Sequence, residues 1–83
     1  MKTKRYIHFE FDQEQVKEPL LYRLSRTFED VEINIRGASV TAEGGFVALE
    51  LHGEPVGIER VLDYLRTRKI SVIEDTPTGE VPL

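Results

Sequence analysis

The chain of 83 residues contains no cysteine. That absence excludes disulfides, thiolate catalysis and iron–sulfur ligation. It suits a reducing compartment, and the expected setting is the cytoplasm. Positive charge is not in excess either: 11 Lys and Arg face 15 Asp and Glu, for a net charge of −4. Nucleic-acid phosphates require a basic face, so no nucleic-acid partner is expected. No apolar run approaches the ~20 residues of a membrane span, so no membrane partner is expected. Met1-Lys2-Thr3-Lys4-Arg5 is a basic start, but the alternating Tyr6-Ile7-His8-Phe9-Glu10 follows instead of an apolar stretch. A signal peptide is therefore not expected. Length is short as well. A single domain of this size buries about 60–65% of its unfolded surface, which leaves no room for a deep enclosed pocket. Ligands are expected in a surface groove or between two copies of the chain.

What is present is regular patterning. Ile7, Phe9 and Phe11 alternate with Tyr6, His8 and Glu10, a half-buried strand over Tyr6–Phe11. Asp12 to Lys17 is polar and interrupts it. Pro19 suits the first position of a helix, and Leu20, Leu21, Leu24 and Phe28 then share one helical face. Val31, Ile33 and Ile35 open a second strand whose apolar phase slips at Gly37, because Ala38 and Val40 carry it onward. A one-residue slip at glycine predicts a β-bulge. Thr41-Ala42-Glu43-Gly44-Gly45 reads as a hairpin turn needing positive φ. A third strand follows over Phe46–His52, with Val47, Leu49 and Leu51 inward. Pro55 starts a second helix with Ile58, Val61, Leu62 and Leu65 on one stripe. Ile70–Glu74 is a short fourth strand. Residues 1–75 form the domain, and 76–83, with two prolines and a glycine, a flexible tail.

The order βαββαβ with right-handed crossovers predicts an α+β, ferredoxin-like two-layer sandwich: a four-stranded antiparallel sheet with both helices on one face. The other face should carry Tyr6, His8, Asn34, Arg36, Phe46, Ala48 and His52. That mixed set reads either as a partner or ligand surface or as ordinary half-exposed sheet residues. The second strand falls at a sheet edge, whose unpaired backbone groups favour a homodimer.

Chemistry-bearing clusters are few. His8 and His52 lack an acid at metal-ligand spacing and read as surface histidines, so no metal is expected. Gly44-Gly45 joins two strands and cradles no phosphate. Glu10, Asp12, Glu14, Glu74 and Asp75 read as solvated rim charges. Ser25, Ser39 and Ser71 sit in ordinary helix or strand contexts with no base beside them, so the chain is expected to be neither an enzyme nor a cofactor carrier. Glu43-Gly44-Gly45-Phe46-Val47 faintly echoes an RNA-recognition strand, without its remaining aromatics or basic residues.

Taken together, these segments resemble the NIL domain family. Glu18-Pro19-Leu20-Leu21-Tyr22-Arg23-Leu24 is similar to its opening helix, and Val31-Glu32-Ile33-Asn34-Ile35 to the strand that names it, usually Asn-Ile-Leu. Gly45 to Gly53 resembles its glycine-bounded third strand, and Ile58 to Leu65 with Ile70-Ser71-Val72 its closing helix and strand. The resemblance covers about residues 4 to 74. Arg36 departs from the pattern, standing where the family name has Leu. The resemblance implies an ACT-like regulatory domain. Such domains end the ATPases of methionine ABC transporters, dimerise, and bind methionine to inhibit transport; others are fused to ferredoxin-type segments. The chain has neither a P-loop pattern nor cysteine, so the expectation is a stand-alone NIL domain. Its function is then sensing methionine or a related sulfur amino acid at a dimer interface, or else serving as an adaptor for a sulfur-metabolism or redox protein partner.

The expected ligand-binding residues are Asn34, Ile35, Arg36, Gly37 and Ala38. The Asn34 carboxamide offers a donor and an acceptor to an amino acid's charged groups, and the resemblance places it between subunits. Its plainer reading is a strand asparagine bonded to neighbours. Arg36 offers a bidentate grip on a carboxylate, or simply a solubilising edge charge. Gly37 and Ala38 at the bulge would admit a ligand or a second backbone, or simply curve the strand.

Overall fold

Alternation in the first strand runs past its apolar positions at both ends: β1 spans Thr3–Asp12 in the computed structural model, which describes residues 1–16 and 19–75. The expected tail at 76–83 lies outside the described residues. The polar stretch after β1 is not a plain break. Gln13–Val16 form a four-residue helix, α1. Its start is a reciprocal cap: Gln15 N donates to Asp12 Oδ1 at 2.9 Å and Asp12 N donates to Gln15 Oε1 at 2.8 Å. The helix α2 covers Leu20–Thr27, with Pro19 as its N-cap rather than its first residue. β2 is Glu32–Thr41 and β3 is Gly44–Gly53, joined by Ala42-Glu43. In this hairpin, positive φ falls only on Gly44, at 145°, where an added Cβ would sit 2.6 Å from the Phe11 carbonyl oxygen. The turn residues themselves are held by Thr41, whose Oγ1 accepts from Glu43 N and donates to Gly44 O. α3 runs Pro55–Thr67 with proline in its first turn, and β4 shrinks to Val72–Glu74.

The strands order β2-β3-β1-β4, every pair antiparallel, as the ferredoxin-like topology requires. Core side chains come from one face of β1 and β3 (Ile7, Phe9, Val47, Leu49, Leu51) and from α2 and α3 (Leu20, Leu24, Ile58, Val61, Leu62, Leu65). Each fully buried aliphatic or phenyl group stabilises the fold by about 1.5–3 kcal/mol. The bulge stands where the glycine slip placed it: the β2–β3 register shifts between Ile35 and Gly37, leaving Arg36 as the extra residue.

Arg5 ties the helix side together, with Nη1 2.6 Å from Glu59 Oε1 on α3 and Nη2 paired with Glu74 on β4. The hydrogen bond from Arg5 holds the Glu59 carboxyl below its usual range. A depressed folded value means the contribution is complete above the ordinary glutamate range and is lost as pH falls from there through the lowered folded value. Removing Arg5 (Arg5→Gln) is therefore expected to return Glu59 to an ordinary titration, read by carboxyl NMR.

The uncovered face holds two corrections. His8 and Ala48, expected to stand open, are buried, and the side chain of Asp75, expected to be solvated, is only 4% exposed. Neighbouring side chains do this. The His8 ring lies 5.5 Å from Phe46, tilted by 40°, and Arg36 folds over the Tyr6 ring at 4.8 Å, while Ala48 stands between His8 and Gly37 in the ladder.

Candidate functional site

β2 is an edge strand, and its alternation decides where each candidate residue goes. Residues opposed across an antiparallel ladder share a face. Ile35 opposes Leu49 and Ala38 opposes Val47, so both lie on the helix side. Asn34 opposes Glu50 and Gly37 opposes Ala48, on the uncovered side, where Arg36 also meets Tyr6. The five are contiguous in sequence but divided between two faces. Asn34 Nδ2 donates to Glu50 Oε1 at 3.4 Å, a long and exposed bond. A Cβ on Gly37 would meet nothing within 4 Å, so open space lies above the bulge.

On the helix side, the far half of β2 runs beyond the helices. Ile35 and Val40 are each 58% exposed. Val40 borders an almost wholly apolar groove of about 240 Å³ between α2 and β2, lined also by Phe11, Leu20, Leu21, Ala38 and Val47. Of the five candidates only Ala38 lines it. The groove was legible in part, since its β2 wall is the apolar phase that resumes after the bulge. Its α2 wall depends on how the helix sits.

The uncovered face carries a feature the sequence reading missed. His8 Nδ1 and Asp75 Oδ1 are 2.6 Å apart, with side chains 10% and 4% exposed. Where the carboxyl is ionised it can only accept, and the imidazole Nδ1–H is then the donor. The other oxygen, Asp75 Oδ2, is buried and finds no hydrogen-bond partner among the described residues. The Asp75 amide also donates to Tyr6 O at 2.7 Å, which extends the β4 pairing by one residue. No sequence signal marks this pair, whose members stand 67 positions apart. His52 is the more open histidine, 3.4 Å from Glu32 Oε2. Among the described residues, no three metal-binding side chains gather, and no helix is long and apolar enough to cross a membrane.

Against known proteins, residues 5–74 match the family model of the NIL domain. The fold is similar to the C-terminal domain of an ABC transporter/ATP-binding protein from Enterococcus faecalis, with a TM-score of 0.71 over 88% of this chain and 84% of that one, at 19% identity. It is also similar to two de novo designed proteins. Ferredog-Diesel gives a TM-score of 0.60 at 12% identity over 89% of this chain and 85% of that one. Foldit4 gives 0.58 at 18% identity over 92% and 98%. No curated protein matches the chain.

Proposed function

The chain belongs to the NIL domain family, and from that premise we propose that it is a regulatory binding domain without catalytic activity, working as a homodimer through β2 in the cytoplasm. The proposed ligand is methionine or a related sulfur amino acid, held where two copies meet. The observation that carries this reading is the edge strand itself: ten residues long, with Ile35 and Val40 each 58% exposed and an apolar groove at Val40. A second copy laid along β2 would cover those side chains and pair its open backbone edge. It would also close the groove, which is small and open for a single chain. The likeness to a domain of an ABC transporter ATP-binding protein supports a regulatory setting.

Thermal unfolding with free amino acids tests the ligand. At a tenfold excess over Kd, a specific ligand stabilises the folded state by about 1.4 kcal/mol, a rise of about 6–11 °C in Tm for a domain of this size. Asn34→Ala is expected to remove that rise while leaving the unliganded Tm in place. No shift with any amino acid at millimolar concentration would overturn the sensor and favour the adaptor reading.

Light scattering tests the interface. Val40→Lys replaces an exposed side chain, so it should change stability by no more than about 0.5 kcal/mol. A cation buried against its symmetry mate would nonetheless leave the chain monomeric. A dimer that persists in Val40→Lys would move the interface away from β2.

A further inference from the structure

Away from β2, a cleft of about 470 Å³ opens along β1 past the end of the short β4, reached from the uncovered face by His8, Glu10 and Ile73. His8 lines it, with Glu10 and Asp12 from β1, Lys69 from the turn after α3, and Ser71 just before β4; the Asp12 carboxylate already accepts from Gln15 N. Ile73 and Phe11 supply its apolar surface. Among the described residues, the side chains of Glu10, Lys69 and Ser71 form no hydrogen bond or ion pair, with each other or with anything else. Opposite charges thus border one cleft without neutralising each other.

Two independent features mark this as more than a surface hollow. The first is His8. Asp75 occupies its Nδ1 and Phe46 lies against its ring, so the imidazole is held rigidly and Nε2 is the atom left for a ligand. The supporting Asp75 carboxylate is buried with one oxygen unpartnered among the described residues, an arrangement that costs stability. The second is Lys69. It is the only non-glycine residue with positive φ among the described residues, at 63°. It occupies the left-handed position that ends α3, where Lys69 N donates to Arg66 O and Ile70 N to Leu65 O. That pattern usually takes glycine. A lysine there sacrifices backbone comfort and sets an ammonium at the mouth of the cleft.

We infer that this cleft binds a small zwitterion, of the ω-amino-acid class, whose ammonium and carboxylate are separated by an apolar linker. The ligand's ammonium meets the Glu10 carboxylate and His8 Nε2, which accepts while the imidazole is neutral. Its carboxylate meets Lys69 and the Ser71 hydroxyl. Its methylenes lie on Ile73 and Phe11. A ligand with one charge leaves half of these groups unpaired. Phe11 borders both this cleft and the groove beside β2, but none of the charged groups argued here lies on the proposed β2 interface, and the site stands or falls apart from it.

The test is an amide NMR titration of the full chain with glycine, 4-aminobutyrate and 6-aminohexanoate, using hexanoate and hexylamine as singly charged controls. The expected result is saturable shifts at Glu10, Lys69 and Ser71, with affinity rising about fourfold for each methylene that the linker buries. Glu10→Gln is expected to weaken binding about tenfold or more, the loss of a charge-assisted contact. Lys69→Gly separates the site from the fold. It should raise Tm by several degrees by relieving the left-handed position and weaken binding by a similar factor. Four outcomes would overturn the assignment: no shifts at tens of millimolar zwitterion, equal shifts from either control, undiminished binding in Lys69→Gly, or shifts confined to residues 34–38. The last would do so while leaving the β2 reading standing.

Discussion

Phe9→Ala is expected to destabilise the domain by about 3–5 kcal/mol. Phe9 is 1% exposed on the central strand β1, within the core cluster that α2 and α3 cover. Truncation leaves a cavity that a sheet hydrogen-bonded on both sides of β1 cannot close. At about 0.05–0.15 kcal/mol per residue, a chain of this length has only roughly 4–12 kcal/mol to lose. The variant should therefore be largely unfolded or melt far below the parent, read by urea denaturation with circular dichroism. A loss under about 1 kcal/mol would mean that Phe9 does not occupy the centre of the core.

The second large effect concerns the pair on the other face. His8→Ala is expected to cost about 3–5 kcal/mol, because it leaves the Asp75 carboxylate buried with neither oxygen partnered among the described residues. The upper limit is set by peeling β4 off β1. The strand is only three residues long, and the chain can relieve the buried charge by releasing it. Hydrogen exchange should then show early loss of protection at Val72, Ile73 and Glu74. Removing both partners at once, His8→Leu with Asp75→Leu, replaces the pair by apolar groups and should recover most of the loss. In a double-mutant cycle the coupling is expected to exceed about 1 kcal/mol. Additive losses would show that the two side chains do not act together.

Local patterning reached most of the fold. The alternation of Ile7 and Phe9, the stripe of Ile58, Val61, Leu62 and Leu65, and the phase slip at Gly37 each reappear as a core face or a bulge. Side-chain direction in a strand or helix follows from period alone, so these positions declare themselves. Boundaries were less legible. β1 extends to Asp12 because pairing with β3 continues to Gly44 whatever the side chains are. The turn α1 forms because Asp12 and Gln15 cap each other, a local signal within a stretch that reads only as polar.

The candidate sites divide along the same line. Asn34 to Ala38 were named from one segment of chain, and the strand's period of two then sends them to both faces, so no single-chain pocket gathers them. The His8–Asp75 pair and the cleft that opens over it belong to residues far apart in sequence, and only the placement of β4 beside β1 brings them together. What the amino-acid order settles here is periodicity, and with it the elements, the core and the family. Which polar groups meet was left to tertiary structure, because a charged side chain carries no mark of its partner until the backbone ladder sets the two side by side.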